Sequence, residues 1–119
     1  MSDSDFANIL KRTEEIELTV KGRRSGKDIS RPVWFVYENN IVYLLPVNGS
    51  DTEWYKNVLH NPRMKISIKK KGVSGNGKPI TDENKVKEVA DKFRSKYTAE
   101  NIARYYSKLD AMVEFSLKG

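Results

Sequence analysis

Two adjacent arginines stand between glycines in the segment Gly22-Arg23-Arg24-Ser25-Gly26. Guanidinium groups present paired N–H donors that match the oxygens of a phosphate, and flanking glycines leave backbone N–H groups open to an anion. The run Pro32-Val33-Trp34 follows and offers flat apolar surface. These residue types predict a site that holds a phosphate and a ring side by side.

Two further groups follow along the chain. Val47-Asn48-Gly49-Ser50 is a polar turn in which Asn48 and Ser50 can donate hydrogen bonds to a ligand, although the same residues are common in ordinary turns. Trp54, Tyr55 and Asn57 lie on the helix predicted next. Trp54 shares a helix face with Val58 at i+4, so a core role and a binding role are both open for it.

The order of these motifs, which ends at Asn61-Pro62, resembles the deazaflavin-dependent nitroreductase family. That family belongs to the flavin-binding split β-barrels, which include the pyridoxamine-phosphate oxidases. The resemblance implies an oxidoreductase that binds coenzyme F420 and passes a hydride to a small electron-poor acceptor such as a quinone, an enone or a nitro compound. Because the cofactor carries the hydride, no catalytic side chain is implied.

The resemblance also implies which residues make the site. It implies contacts with the cofactor phosphate from Arg23, Arg24, Ser25 and Gly26; contacts along the ring from Pro32, Val33, Trp34, Val47, Asn48, Gly49 and Ser50; contacts near the ribityl phosphate from Trp54, Tyr55 and Asn57; and contacts with the acceptor from Tyr105 and Tyr106.

The chain departs from the family at one cationic position. Relatives often carry an arginine three residues before the strand proline, where this chain has Ile29, and its own Arg31 directly precedes Pro32. Adjacent strand residues face opposite sides, so the phosphate role is not transferred to Arg31, whose role stays open.

Composition narrows the class of protein. The 119 residues include 22 Lys and Arg against 16 Asp and Glu, a formal net charge of +6, which favours an anionic ligand or partner. There is no cysteine, and His, Asp and Glu show no metal-ligand spacing. The absence of a long apolar run and of a signal-peptide pattern predicts a soluble cytoplasmic protein without a membrane span, with one domain over residues 1–119.

Apolar periodicity predicts a mainly β (α+β) fold. Residues 16–21, 64–69 and 113–118 alternate as half-buried strands, and Asn39-Asn40 predicts a tight turn between residues 32–37 and 41–45. A helical stripe is formed by Val86, Val89, Ala90, Phe93 and Tyr97, after a cap at Thr81 or Asp82. Strands in consecutive hairpins indicate a split β-barrel of about six antiparallel strands with peripheral helices.

Several local predictions concern the boundaries of elements. Residues 22–30 are predicted as a loop, residues 32–37 as a well-buried strand and residues 73–79 as a hairpin. Ser4 and Asp51 are predicted as helix N-caps. The lysines of residues 64–71 indicate an edge strand or, alternatively, a basic surface for nucleic acid or for the polyglutamate tail of the coenzyme.

Alternatives to the F420 enzyme remain. FMN is the alternative cofactor on the same fold, and a barrel that binds a cofactor without turnover would show the same residues. A basic nucleic-acid-binding barrel is disfavoured because the aromatic residues 34–37 lie in an apolar run that suggests burial and no nucleic-acid motif is present, so no nucleic-acid partner is expected. Relatives often pair through their sheets, which implies a homodimer.

Overall fold

The computed structural model describes residues 2–117, which form four α-helices and seven β-strands. In chain order these elements are α1 (Ser2–Leu10), β1 (Glu15–Lys21), β2 (Asp28–Trp34), β3 (Val36–Glu38), β4 (Ile41–Leu44), α2 (Glu53–His60), β5 (Arg63–Ile68), β6 (Lys71–Ile80), α3 (Glu83–Tyr97), α4 (Ala99–Tyr105) and β7 (Met112–Ser116). A turn of 3-10 helix, Gly49–Asp51, precedes α2.

The seven strands form one antiparallel sheet in the order β2-β1-β5-β6-β7-β4-β3. The two end strands, β2 and β3, are consecutive in the chain and are separated only by Phe35. The sheet therefore curls until its two edges meet at one residue, which is a split barrel. The predicted mainly β antiparallel barrel is confirmed, with seven strands because residues 32–37 are divided between two of them.

The strand β2 is an exposed edge. The prediction of a well-buried strand over residues 32–37 is wrong, since β2 is largely exposed and only Phe35 is fully buried. Pro32 is tolerated because an edge strand needs no backbone N–H on its open side. The loop predicted over residues 22–30 is also too long, because Asp28 already pairs with Lys21 in the sheet.

The hairpin turns have mixed outcomes. The turn at Asn39 and Asn40 is confirmed, with φ of 54° and 65°. Residues 73–79 belong to one long strand, β6, so the hairpin predicted there is wrong. Gly77 suits a strand interior because a Cβ would collide with the Met64 sulfur. The strand β5 lies between β1 and β6, so the edge strand predicted from its lysines is also wrong.

The helix α3 packs on the barrel through its predicted apolar stripe, and every residue of that stripe is buried. Asp82 caps this helix by accepting from the Asn84 N–H at 3.0 Å, as predicted. The cap predicted at Asp51 is wrong, because Asp51 ends the 3-10 turn and Thr52 occupies the N-cap of α2. Ser4 lies inside α1, and Lys118 lies outside the described residues.

The seam between β2 and β3 is held by two residues at the end of α3. The Tyr97 hydroxyl accepts from the Phe35 N–H at 3.2 Å and lies within hydrogen-bond distance of the carbonyl oxygens of Phe35 and Glu14. Lys96 Nζ donates to the Phe35 carbonyl at 2.9 Å and to the Thr13 carbonyl at 3.0 Å. The chain is thereby fixed at the point where the two sheet edges meet.

Candidate functional site

Two adjoining cavities lie between the β2 edge and the segment that leads into α2. The larger has a volume of about 710 Å³ and the smaller about 280 Å³. Arg31, Glu53 and Trp54 line both, so the two form one continuous groove. The larger volume is in the range of cavities that hold drug-sized ligands or cofactors.

The walls of the larger cavity are mostly flat and apolar. Pro32, Val33 and Trp34, the residues for which ring contacts are predicted from the sequence, line this cavity. The Trp34 indole stacks on the Tyr97 ring with a centroid distance of 4.3 Å and an interplanar angle of 2°. Tyr105 meets the same indole edge-on at 5.7 Å. Because Tyr97 is itself anchored at the seam, the indole plane is held in one orientation.

Tyr106 contributes a polar group to this apolar cavity. It is 7% exposed, and its hydroxyl has no hydrogen-bond partner within residues 6–117. No buried side-chain polar atom in that range lacks a partner, so this hydroxyl is open to the cavity that Tyr106 lines. Burial raises the pKa of the Tyr106 phenol, with a smaller contribution from Tyr97, so the group stays protonated and can donate.

The smaller cavity is lined by the arginine loop, but Arg23 is already engaged there. Arg23 donates from Nη2 to Glu53 Oε1 at 2.7 Å, and from Nη1 to Asn57 Oδ1 at 2.8 Å. Its backbone N–H also donates to Asn57 Oδ1 at 3.1 Å. The hydrogen bond and charge of Arg23 lower the pKa of Glu53. Arg23 therefore ties the loop to α2.

Arg24 lines the smaller cavity and is exposed, and it has no carboxylate partner within residues 6–117. The loop around it is closed by backbone hydrogen bonds from the Gly22 N–H to the Lys27 carbonyl and from the Gly26 N–H to the Gly22 carbonyl, each at 2.8 Å. Gly26 has φ of 72° and serves this turn without lining a cavity. Ser25 lines the smaller cavity.

The second predicted loop is divided by the fold. Val47 and Asn48 line the larger cavity, whereas Gly49 and Ser50 do not. Ser50 instead donates to the Asp110 carboxylate from its N–H at 2.8 Å and from Oγ at 2.7 Å. Burial alone would raise the pKa of Asp110, but these hydrogen bonds and Lys108 lower it overall. The interaction holds the turn that presents Asn48.

The predicted residues of α2 also separate. Trp54 is 5% exposed and lines both cavities, and Asn57 lines the smaller one. Tyr55 is 2% exposed, packs in the barrel core and lines neither cavity. Trp54 is thus both a core residue and a residue of the cavity walls, and its binding role stays a prediction.

Arg31 lies on the same face of β2 as Ile29. Side chains along a strand alternate with a period of two, so residues two positions apart point to the same side. The sequence argument, which put Arg31 on the opposite side from the family's arginine position at Ile29, is therefore wrong. Both line the smaller cavity, and Arg31 also lines the larger. Arg31, whose role stayed open in the sequence, therefore lies where the two cavities adjoin.

Several lining residues were missed in the sequence. They are Glu15, Leu45, Asp51, Thr52 and Glu53 in the larger cavity, and Gly22, Ile29 and again Glu53 in the smaller one. One of them had a local signal: Glu53 and Asn57 are spaced i, i+4 on a predicted helix and so share a face. Glu15 had none, because its position at the cavity depends on the seam between distant strands.

Comparisons with known proteins agree with this architecture. A family model described as F420H(2)-dependent quinone reductase matches residues 2–114. A solved F420-H2 dependent reductase is 20% identical, with a TM-score of 0.65, over 84% of this chain and 91% of that one. A structure described as a domain-swapped dimer is 18% identical, with a TM-score of 0.65 and 93% coverage of both chains.

A conserved hypothetical protein from Mycobacterium tuberculosis is 15% identical, with a TM-score of 0.75, over 100% of this chain and 82% of that one. At these identities the solved structures show a shared fold. No curated protein matches the chain. Within residues 2–117, no helix is long and apolar enough to cross a membrane.

Proposed function

The chain belongs to the F420H(2)-dependent quinone reductase family, and from this premise we propose how its groove holds the coenzyme and which acceptor it reduces. It is an oxidoreductase whose cofactor is coenzyme F420, so the resemblance to the deazaflavin-dependent reductases is confirmed. The observation that carries the proposal is the pair of adjoining cavities, the larger mostly apolar and the smaller lined by the arginine loop.

The two cavities match the two chemical parts of the coenzyme. The deazaflavin ring lies in the larger cavity against Pro32, Val33 and Trp34, together with Val47 and Asn48. The phosphate lies in the smaller cavity, where Arg24 is exposed and Ser25 lines the wall. Trp54 and Asn57 border the segment of the coenzyme next to its phosphate. Four further residues line neither cavity and support the site from outside it: Gly26, Gly49, Ser50 and Tyr55.

The acceptor is proposed to be a quinone, with an enone or a nitro compound as the other electron-poor classes. Tyr105 is 55% exposed and Val47 is 47% exposed at this cavity, so its mouth is partly apolar. An apolar mouth suits a planar, weakly polar acceptor. The Tyr106 hydroxyl, open to the cavity and protonated, is placed to donate a hydrogen bond to an acceptor oxygen.

The protein's contribution is binding and orientation. Reduced F420 supplies a hydride from C5 of its ring. The stacked Trp34 and Tyr97 rings hold one wall flat, and the apolar lining limits water around the acceptor. A donor such as the Tyr106 hydroxyl favours negative charge that develops on the acceptor oxygen during reduction. Fixed orientation of the two reactants accounts for most of the expected rate enhancement.

Titration of the purified protein with F420 and FMN, followed by oxidation of reduced F420 with a soluble quinone, tests this function. We expect F420 to bind more tightly than FMN and the quinone to accelerate oxidation. The Tyr106→Phe variant should keep F420 affinity and reduce kcat, whereas Tyr105→Phe serves as a matched control at the cavity mouth. Preferential binding of FMN, or F420 binding without turnover of any acceptor class, would overturn the proposal.

The oligomeric state is proposed to be a homodimer. The strand β2 is an exposed sheet edge, and Ile29 on it is 38% exposed. A solved relative of the same fold is described as a domain-swapped dimer. Sedimentation of the purified chain tests this, and a monomer at high concentration would contradict it. The cytoplasmic location expected from the sequence stays a prediction.

A further inference from the structure

Arg31 occupies a position where the fold otherwise places apolar side chains. In the β1–β2 pairing, Ile16, Leu18 and Val20 stand opposite Val33, Arg31 and Ile29. Directly paired residues of an antiparallel ladder share a face, and these three β1 residues are buried in the barrel core. Arg31 therefore lies on the core-facing side of an edge strand, between two apolar neighbours on the same side.

The Arg31 guanidinium has no carboxylate partner in the described part of the chain. It lines both cavities together with Glu53 and Trp54, and Glu53 is already paired with Arg23 at 2.7 Å. A charged fork on the core-facing side of a strand is suited to an anion that enters the groove.

The charges in the smaller cavity support the same conclusion. Arg23 is neutralised by Glu53, and its Nη1 and its backbone N–H are both taken up by Asn57. The cationic charge left for a ligand comes from Arg24 on the loop and Arg31 on β2. Both side chains are exposed, but Arg24 extends from a loop, whereas Arg31 is on a strand held by the β1 ladder.

We propose that Arg31 is the specificity-determining contact for the ligand phosphate, at the junction of the two cavities, and that Arg23 is a positioning residue that holds the arginine loop on α2. This inference rests on the proposed function, because the phosphate is that of coenzyme F420. The sequence motif implies that the adjacent Arg23 and Arg24 both bind the phosphate, whereas this inference moves the phosphate contact from Arg23 to Arg31. A strand-borne guanidinium sets how far the ring extends into the larger cavity.

The planar fork of arginine predicts a further property. Two parallel N–H groups can bind two phosphate oxygens at once, whereas a lysine ammonium at the same place is a point charge. Arg31→Lys should therefore recover only part of the affinity lost in Arg31→Gln.

The experiment compares two ligands, which are F420 and the same deazaflavin without the phosphate and the tail. Each ligand is titrated against four proteins: the wild type and the variants Arg31→Gln, Arg23→Gln and Lys27→Gln. Lys27 is an exposed cation of the same loop that lines neither cavity and is the matched control. Dissociation constants are measured by fluorescence and stability by thermal unfolding. The decisive quantity is the preference for F420 over the phosphate-free ligand.

Arg31→Gln should reduce that preference roughly tenfold to hundredfold, the range expected for loss of a charge-assisted hydrogen-bond pair, with an unchanged Tm. Arg23→Gln should lower the Tm and change the preference by less than about threefold, and Lys27→Gln should change neither. Two results would overturn this inference and leave the proposed function intact. One is an unchanged preference in Arg31→Gln, and the other is a lost preference in Arg23→Gln at an unchanged Tm. Failure of the wild type to bind F420 would overturn the proposed function and this inference with it.

Discussion

The Tyr97 hydroxyl makes the sharpest prediction about how the split barrel is held closed. It accepts from the Phe35 N–H and lies within hydrogen-bond distance of the carbonyls of Phe35 and Glu14. In the Tyr97→Phe variant the ring still stacks on Trp34, but the Phe35 N–H and the Glu14 carbonyl lose this partner. The Phe35 carbonyl keeps its hydrogen bond from Lys96.

The cost follows from these groups. A buried backbone group without its partner costs about 1–3 kcal/mol, so we expect a loss of about 2 kcal/mol in the free energy of unfolding. With an unfolding entropy of about 2.1 cal/mol/K per residue, the entropy for a chain of 119 residues is about 250 cal/mol/K. The Tm should then fall by about 8 °C.

Thermal and urea unfolding, followed by tryptophan fluorescence, measure this difference. Tyr105→Phe is the control, because Tyr105 is 55% exposed and its hydroxyl has no hydrogen-bond partner within residues 6–117. Burial raises the pKa of Tyr97 to about 12, so the hydroxyl stays protonated and the difference should not vary with pH between roughly pH 6 and pH 9. A Tm within about 2 °C of the wild type would refute the seam as a stabilising contact.

Two other predictions concern Gly49 and Lys96. Gly49→Ala should lower the Tm and weaken F420 binding, because Gly49 has φ of 54° and an added Cβ would fall on the Asp110 carboxylate that holds the turn; an unchanged thermal transition would contradict this. Burial lowers the pKa of Lys96 to about 8, against an ordinary value of 10.5, so between these values the unfolded chain binds the extra proton. The stability of the wild type relative to Lys96→Gln should rise as the pH increases from about 8 to 10, and a flat difference in urea unfolding would show that the ammonium is not desolvated.

Local periodicity was sufficient for much of the fold. The alternation of residues 16–21 predicts β1, and the apolar stripe ending at Tyr97 predicts α3 with its cap at Thr81 or Asp82, of which Asp82 is observed. The positive φ at Asn39 and Asn40 was also readable, because asparagine tolerates that conformation. Each of these features depends on residues two to four positions apart, so the sequence carries the information directly.

The same local reading identified several of the residues that line the two cavities. Pro32, Val33 and Trp34 line the larger cavity, and Arg24 lines the smaller one, in the order that the motifs suggested. Tyr105 and Tyr106 also line the larger cavity. These placements follow from the chain order of strand, loop and helix, which the motifs preserve.

Tertiary structure alone decided where the barrel opens and which arginine is available. Phe35 divides residues 32–37 between two strands because the two ends of the curled sheet meet there and Tyr97, 62 residues away, binds its backbone. Arg23 is taken up by Glu53 and Asn57, which are 30 and 34 residues away, while Arg31 has no carboxylate partner in the described residues. Residue types and spacing report which groups can bind an anion, but which of them are paired depends on contacts between distant segments.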